Sequence, residues 1–263
     1  MGTVERGGKA GDRCGSEALM RKLRSMVWNI RIALVCLTAC ALIDTASPVL
    51  AQTGDTAVVE GADVLTLAGA GALLFAPSLL FDVDSVTCVP CDRSEVPVFD
   101  RWAIAPVRPV PAAFSDVLLV GIGVTSWINL ANEGRAGRQG IVSSVESVLI
   151  AEGISELVKR LVRRKRPVLY TTAGITGAAD PKNQQSWPSG HATGAAALAA
   201  SYWLTRNRIS DGGSNDTHAW SLAAGAVAVA ALRVVAAKHF PSDVVPGLIL
   251  GLATAGLVHT IKF

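Results

Sequence analysis

The sequence predicts an all-α fold, a bundle of about six helices embedded in a membrane. Half of the 263 residues are hydrophobic, 17% are charged and the mean hydropathy is +0.40, which is more apolar than is usual for a soluble domain. Several of the apolar runs approach the roughly 20 residues that span a bilayer. These runs cover residues 64–81, 117–131, 141–158, 190–205, 219–237 and 244–261.

The apolar runs are rich in Ala, Gly, Val and Leu, and small residues let membrane helices approach one another closely. A tightly packed soluble helical domain stays open as the alternative. It is favoured by the runs at 190–205 and 219–237, which are only moderately hydrophobic.

Residues 1–51 predict a signal peptide or an N-terminal anchor region. A basic cluster precedes an apolar stretch at 32–43, and Ala51 supplies a small residue at a plausible cleavage site. The cluster consists of Arg21, Lys22, Arg24 and Arg31. The rest of the chain, residues 52–263, is expected to form one helical domain.

Cys88 and Cys91 stand alone in the predicted domain, because the other three cysteines fall within residues 1–51. In an exported protein this pair can form a small disulfide. A metal site is less favoured, since no second cysteine pair or histidine cluster lies nearby. Two free thiols remain the other alternative.

The polar stretches between the runs should be surface loops. We expect residues 82–115, which are rich in acidic residues and prolines, to be irregular, with a short interfacial helix around residues 99–102. Residues 133–137 should form a turn between two helices.

The first of three polar clusters contains Lys159 and Arg166, directly before Pro167. A spacing of seven residues is two helical turns, so both side chains project from one face if the helix runs up to Pro167. Alternatively, the basic residues of this stretch only fix the orientation of the chain in the membrane.

The second cluster is Pro188-Ser189-Gly190-His191, directly before a run of small residues. It should form the N-terminus of a helix, where free backbone N–H groups bind anions. Ser189 would also serve as an ordinary N-cap, which is its structural alternative.

The third cluster places Arg233, His239 and Asp243 around a predicted break between two helices. Asp243 can then reach back to His239, and a carboxylate on one ring nitrogen leaves the other free as a nucleophile. Taken alone, the cluster is equally compatible with a charged interhelical turn.

Together the three clusters resemble the type-2 phosphatidic acid phosphatase superfamily. Its signature is Lys-x6-Arg-Pro, then Pro-Ser-Gly-His, then Ser-Arg-x5-His-x3-Asp. The resemblance covers residues 114–260, with all three parts in order. Leu232 stands where the family usually has serine, which removes one hydroxyl contact to phosphate but no catalytic group.

The resemblance implies a metal-independent phosphatase without a cofactor. His239 would attack phosphorus to give a phosphohistidine, Asp243 would orient its ring, and His191 would protonate the leaving alkoxide and later activate water. The other implied site residues hold the phosphoryl oxygens: Lys159, Arg166, Ser189, Gly190 and Arg233.

The implied substrates are phosphorylated lipids, and the implied location is the bacterial inner membrane with the site facing the periplasm. A cleaved signal conflicts with this orientation, because it would place residue 52 outside. A vanadium-dependent haloperoxidase, in which His239 would hold vanadate, is one alternative. A non-catalytic transporter or scaffold is another. Nucleic acid is not an expected partner, since no aromatic residues interleave with the basic run.

Overall fold

The computed structural model describes residues 61–81, 86, 88–210 and 216–263. These residues form six α-helices and several short 3₁₀ helices, as the sequence predicts for an all-α fold. The α-helices are α1 Gly61–Leu80, α2 Pro109–Ala131, α3 Gly134–Val162, α4 Gly190–Ile209, α5 Thr217–Val235 and α6 Pro241–Lys262. The expected signal peptide or anchor at residues 1–51 lies outside the described part of the chain.

The helices alternate in direction, so every second connection lies at the same end of the bundle. At one end the Arg108 amide donates to the Ala236 carbonyl at 3.1 Å, and the Ser189 amide donates to the Asp243 carbonyl at 3.0 Å. At the opposite end Lys262 Nζ lies 2.5 Å from Asp63 Oδ1. All three polar clusters therefore meet at one end of the bundle.

Helix α4 is the central helix, and nearly all of its residues from Gly190 to Ala199 are buried. It packs against α2, α3, α5 and α6. Because its neighbours shield it from the surroundings, it needs small side chains for close packing rather than strong hydrophobicity. This position explains why the run at 190–205 is only moderately apolar.

Four helices, α1, α2, α5 and α6, are long and apolar enough to cross a membrane. Helix α2 exposes a row of large apolar side chains, including Val117, Val120 and Ile128. A stripe of this kind is unfavourable in water and favourable against lipid. The domain is accordingly a membrane-embedded bundle rather than a soluble one.

Three helix boundaries differ from the sequence-based expectation. Helix α3 begins at Gly134, inside the stretch 133–137 that was expected to be a turn, and the turn itself covers only residues 132–133. Helix α2 begins at Pro109, within the stretch expected to be irregular, because a proline is tolerated in the first turn, where its missing N–H has no partner to lose. Helix α3 ends at Val162 instead of continuing to Pro167. Arg163 has a φ of 52° in the left-handed region, and its amide bonds to the Lys159 carbonyl at 3.0 Å.

The segment that follows α1 packs beneath the polar end of the bundle. Cys88 and Cys91 are joined by a disulfide, and the Cys91 amide donates to the Leu169 carbonyl at 2.9 Å. The short helix expected near residues 99–102 is present as a 3₁₀ helix, Val98–Ala103. Asp100 is buried on its inner side, while Phe99 and Trp102 are exposed.

Helices α4 and α6 approach so closely at Gly251 that a side chain has no space. A Cβ atom there would lie 2.8 Å from the Ala197 amide nitrogen and 2.9 Å from the Ala196 Cβ. We expect Gly251→Ala to lower the free energy of unfolding by about 1–3 kcal/mol, because α4 and α6 must separate. Thermal unfolding of the purified protein in detergent measures this change.

Gly256, one and a half turns further along α6, is the matched control. A Cβ atom there would meet nothing within 4 Å, so Gly256→Ala should leave the unfolding temperature unchanged or slightly raised. Equal destabilisation by both substitutions would contradict the close contact between α4 and α6.

Candidate active site

His239 lies in the short connection between α5 and α6 and is almost completely buried. Its Nδ1 lies 2.7 Å from the Ser186 carbonyl oxygen. Because a carbonyl only accepts, Nδ1 carries the proton and Nε2 keeps a free lone pair. The imidazole therefore has the tautomer that a nucleophile requires.

Burial lowers the pKa of His239 well below its ordinary value, and the charges of Arg166, Arg233 and Lys159 lower it further. The ring is therefore neutral near pH 7, with its lone pair available. Three cations predicted from separate parts of the sequence thus act on one histidine.

Asp243 differs in its contacts from the sequence-based expectation. Its Oδ2 lies 3.7 Å from His239 Nδ1, beyond hydrogen-bonding distance, because the Ser186 carbonyl already binds that nitrogen. Asp243 Oδ2 instead accepts from Ser186 Oγ at 2.6 Å and from the Phe240 amide at 2.7 Å. Asp243 thus orients His239 indirectly, by holding the residue that binds its ring.

Arg164 is a site residue that the sequence did not single out. One terminal nitrogen donates to Asp243 Oδ1 at 2.6 Å, and the other donates to Asp100 Oδ2 at 2.7 Å. Its guanidinium also lies 4.7 Å from the centre of the Phe240 ring. Arg164 therefore neutralises two buried carboxylates and connects the 3₁₀ helix Val98–Ala103 to the start of α6.

Two of the three predicted phosphate-binding cations have unused hydrogen-bonding capacity among the described residues. Within the described residues, the buried Nε atoms of Arg166 and Arg233 have no hydrogen-bond partner. Lys159 is buried and pairs with Glu156 at 2.7 Å. Unpaired buried donors are costly, so this end of the bundle is suited to receive an anion.

Lys238 is a further cation near the site. It lies between Arg233 and His239 in the sequence and was not predicted as a site residue. Burial, and then the neighbouring charges of Arg166 and Arg233, lower the pKa of Lys238. Its backbone amide donates to the Arg233 carbonyl at 3.1 Å, which keeps it beside the end of α5.

Ser189 and Gly190 form the N-terminus of α4, as predicted. Ser189 occupies the N-cap position without making a side-chain capping bond, and its buried hydroxyl has no partner among the described residues. A Cβ atom at Gly190 would lie 2.8 Å from Glu152 Oε2 and 3.0 Å from Lys159 Nζ. A side chain at this position would therefore have to displace the ends of the Glu152 and Lys159 side chains.

His191 follows on the first turn of α4, and its Nε2 lies 2.8 Å from Asp116 Oδ1. Arg233 also contacts this oxygen, at 3.2 Å. Asp116 belongs to α2, and the sequence analysis missed it because nothing in its local pattern separates it from other acidic residues.

No group of three or more His, Cys, Asp or Glu side chains that could hold a metal ion lies within residues 61–263 as described. The positive charge at this site belongs to lysine and arginine side chains, which do not bind metal cations. The donors present are suited to an oxyanion.

We expect Arg164→Ala to lower the free energy of unfolding by about 3 kcal/mol or more, because the buried Asp100 and Asp243 would lose their cation. Chemical unfolding in detergent, followed by tryptophan fluorescence, measures the change. Lys165→Ala is the control. Lys165 pairs with the half-exposed Glu95, and such surface pairs contribute only about 0–1 kcal/mol. Similar effects of the two variants would contradict the network around Arg164.

Comparison with known proteins places the chain in a family. Residues 140–263 match the model of the PAP2 superfamily. The chain is 32% identical over 143 residues to a decaprenylphosphoryl-5-phosphoribose phosphatase of Mycobacterium tuberculosis, covering 51% of this chain and 71% of the relative. It is 27% identical over 192 residues to a lipid A 1-phosphatase of Rhizobium johnstonii, covering 63% and 74%. No solved structure matches the chain. This chain belongs to the PAP2 superfamily.

Proposed function

We propose that this protein is a metal-independent phosphatase that hydrolyses phosphate esters or diphosphates of lipids through a phosphohistidine. One observation carries the proposal. His239 is buried and bonds through Nδ1 to the Ser186 carbonyl, which leaves a lone pair on Nε2, and the charges of Arg166, Arg233 and Lys159 act on its ring. Family membership and the phosphatase names of the relatives support it.

His239 Nε2 would attack phosphorus and form a P–N bond as the P–O bond to the lipid breaks. The leaving alkoxide would take a proton from His191, so that an alcohol departs. In the second half of the reaction, neutral His191 would take a proton from water. The resulting hydroxide would attack phosphorus, break the P–N bond and release inorganic phosphate with both histidines restored.

The surrounding groups would stabilise the charge of the transferring phosphoryl group. Its three equatorial oxygens carry that charge, and preformed donors aimed at them lower the barrier without reorganisation. These donors would be Lys159, Arg166, Arg233, the Ser189 hydroxyl and the Gly190 amide. The Ser189 hydroxyl and the Nε atoms of both arginines, which have no hydrogen-bond partner within the described ranges, fit this task.

A lipid substrate follows from where the site lies. The three clusters occupy the end of a bundle whose outer helices are apolar enough to cross a membrane, so a headgroup can reach the site while its chains stay in lipid. The relatives named as acting on decaprenylphosphoryl-5-phosphoribose and on lipid A favour a phosphorylated lipid over a soluble metabolite.

The alternatives are less well supported. A haloperoxidase would use the same pocket for vanadate, but the relatives reported above are phosphatases. A transporter or scaffold would not require the specific tautomer of His239 or unpaired donors around it. Nucleic acid remains an unexpected partner, because Arg164 of the basic run is bound to Asp100 and Asp243 within the site network.

We further propose the bacterial inner membrane, with the site facing the periplasm. The disulfide Cys88–Cys91 lies at the same end of the bundle as the catalytic clusters, and disulfides persist in oxidising compartments. This orientation requires residue 61, at the opposite end, to be cytoplasmic. Residues 32–43 would then not act as an export signal.

We expect the purified protein in detergent to release phosphate from at least one lipid mono- or diphosphate, such as phosphatidic acid. His239→Ala should abolish turnover and prevent trapping of an acid-labile phosphoenzyme from radiolabelled substrate. His218→Ala is the matched control, since His218 lies at the start of α5 beside Asn129 and Tyr202, at the opposite end of the bundle. Chelator should leave the rate unchanged, and vanadate should inhibit.

Three outcomes would overturn parts of this proposal. Unchanged phosphate release by His239→Ala would remove the phosphohistidine. Loss of activity with chelator, restored by a divalent cation, would remove the metal-independent mechanism. Halide oxidation with bound vanadate, without phosphate release from any lipid, would favour the haloperoxidase.

Cysteine labelling tests the proposed orientation in the membrane. With Cys14, Cys36 and Cys40 replaced by serine, Ser94→Cys places an exposed thiol at the active-site end, and Asn132→Cys places one at the other end. A membrane-impermeant maleimide applied to intact spheroplasts should label Ser94→Cys only. Labelling of Asn132→Cys alone would put the site in the cytoplasm.

A further inference from the structure

Asp116 brings together two predicted site residues from different helices. It lies about two turns into α2, outside the part of the chain that matches the family model. Its Oδ1 is 2.8 Å from His191 Nε2 on α4 and 3.2 Å from Arg233 on α5. One carboxylate oxygen thus bridges the proposed general acid and a proposed phosphate-binding cation.

The neighbouring Ser115 strengthens this bridge. Its buried hydroxyl accepts from Arg233 at 3.1 Å and donates to the Ala112 carbonyl at 2.6 Å. Helix α2 therefore holds the Arg233 guanidinium through two adjacent side chains. Both contacts use the same terminal nitrogen, and the buried Nε has no partner in the part of the chain that the structure describes.

Asp116 itself is half exposed, whereas the side chains of Arg233 and His191 are 7% and 18% exposed. A carboxylate at the edge of a pocket, touching two deeper groups, is placed to fix their positions. It also compensates positive charge that would otherwise oppose protonation of His191.

We infer that Asp116 is a positioning residue for phosphoryl transfer, which holds His191 and Arg233 in their working orientations and favours the protonated, acid form of His191. The inference rests on the proposed function, since it assigns a role within that reaction. It adds a residue from α2 to a site whose other members come from the loops and helices after α2.

The charges around His191 give the expected sign of the pH effect. Asp116 faces it from α2, Arg233 from α5 and Lys159 from α3, while Glu152 of α3 lies under the first turn of α4. Removing the charge of Asp116 leaves Arg233 and Lys159 opposing a second positive charge on the ring. His191 would then lose its proton at a lower pH. The fall in kcat/KM on the basic side of the pH profile would therefore begin at a lower pH.

The test compares Asp116→Ala, Asp116→Asn and the control Asp92→Asn on phosphatidic acid in detergent micelles. Asn retains the shape and the accepting oxygen of Asp but not its charge. Asp92 is an exposed cap of a short 3₁₀ helix, a role that Asn also fills.

We expect Asp116→Ala to lower kcat by about 10- to 100-fold. This is less than the full rate enhancement of about 10²- to 10⁴-fold that general acid–base catalysis typically contributes. KM should change less than about threefold, because the lost contact acts on catalysis more than on substrate binding. Asp116→Asn should lose less activity but shift the basic limb to lower pH, and Asp92→Asn should match the wild type.

Three results would overturn the inference. In the first, Asp116→Ala has wild-type kcat. In the second, both Asp116 variants lose activity but the basic limb stays in place, which would indicate only a structural role. In the third, Asp116→Ala raises kcat and binds inorganic phosphate more tightly, which would mean that Asp116 occupies the phosphate position and competes with substrate.

The controls separate this inference from the proposed function. If the wild type is active, His239→Ala is inactive and Asp116→Ala behaves like the wild type, only the role of Asp116 fails. If the wild type releases no phosphate from any lipid, the proposed function fails and the inference fails with it.

Discussion

The buried carboxylate of Asp243 makes the hydrogen bonds on which the rest of the candidate active site depends. It binds Ser186 and the start of α6 through Oδ2, and Arg164 through Oδ1. A buried charge without such partners would be strongly unfavourable, whereas hydrogen bonds to charged groups contribute about 1.5–3 kcal/mol each. One side chain thus connects the loop before α4, the segment after α3 and the first turn of α6.

The helix bundle can hold these side chains in fixed positions because its central helix is tightly packed. Helix α4 lies inside the bundle with almost no exposed residue in its first half, and it meets α6 at Gly251 in backbone contact. At the polar end only the connection 236–240 is short, whereas 81–108 and 163–189 are long. Bonds such as Arg164 to Asp100 and Asp243, and Ser186 Oγ to Asp243, tie these long connections to helix termini whose positions are fixed.

Much of this arrangement follows from the sequence, because it depends on local patterns. Six apolar runs predicted six helices, and motif spacing placed Ser189 and His191 at a helix start. Contacts between distant segments were not predictable. Arg164 belongs to a basic run whose local pattern suited membrane orientation, and only the early end of α3 at Val162 turns it toward Asp100 and Asp243. Asp116 had no local signal at all.

The two histidines have different relations to their carboxylates, and the difference matches their proposed roles. His239 bonds to a neutral carbonyl and lies 3.7 Å from Asp243, and burial together with Arg166, Arg233 and Lys159 lowers its pKa and keeps the ring neutral. A nucleophile needs that neutral state. Burial, with the charge of Arg233, lowers the pKa of His191 to about 4, whereas the direct contact with Asp116 opposes this fall and favours the protonated ring. A general acid needs its proton, so the placement of two carboxylates distinguishes a nucleophile from an acid within a single cationic pocket.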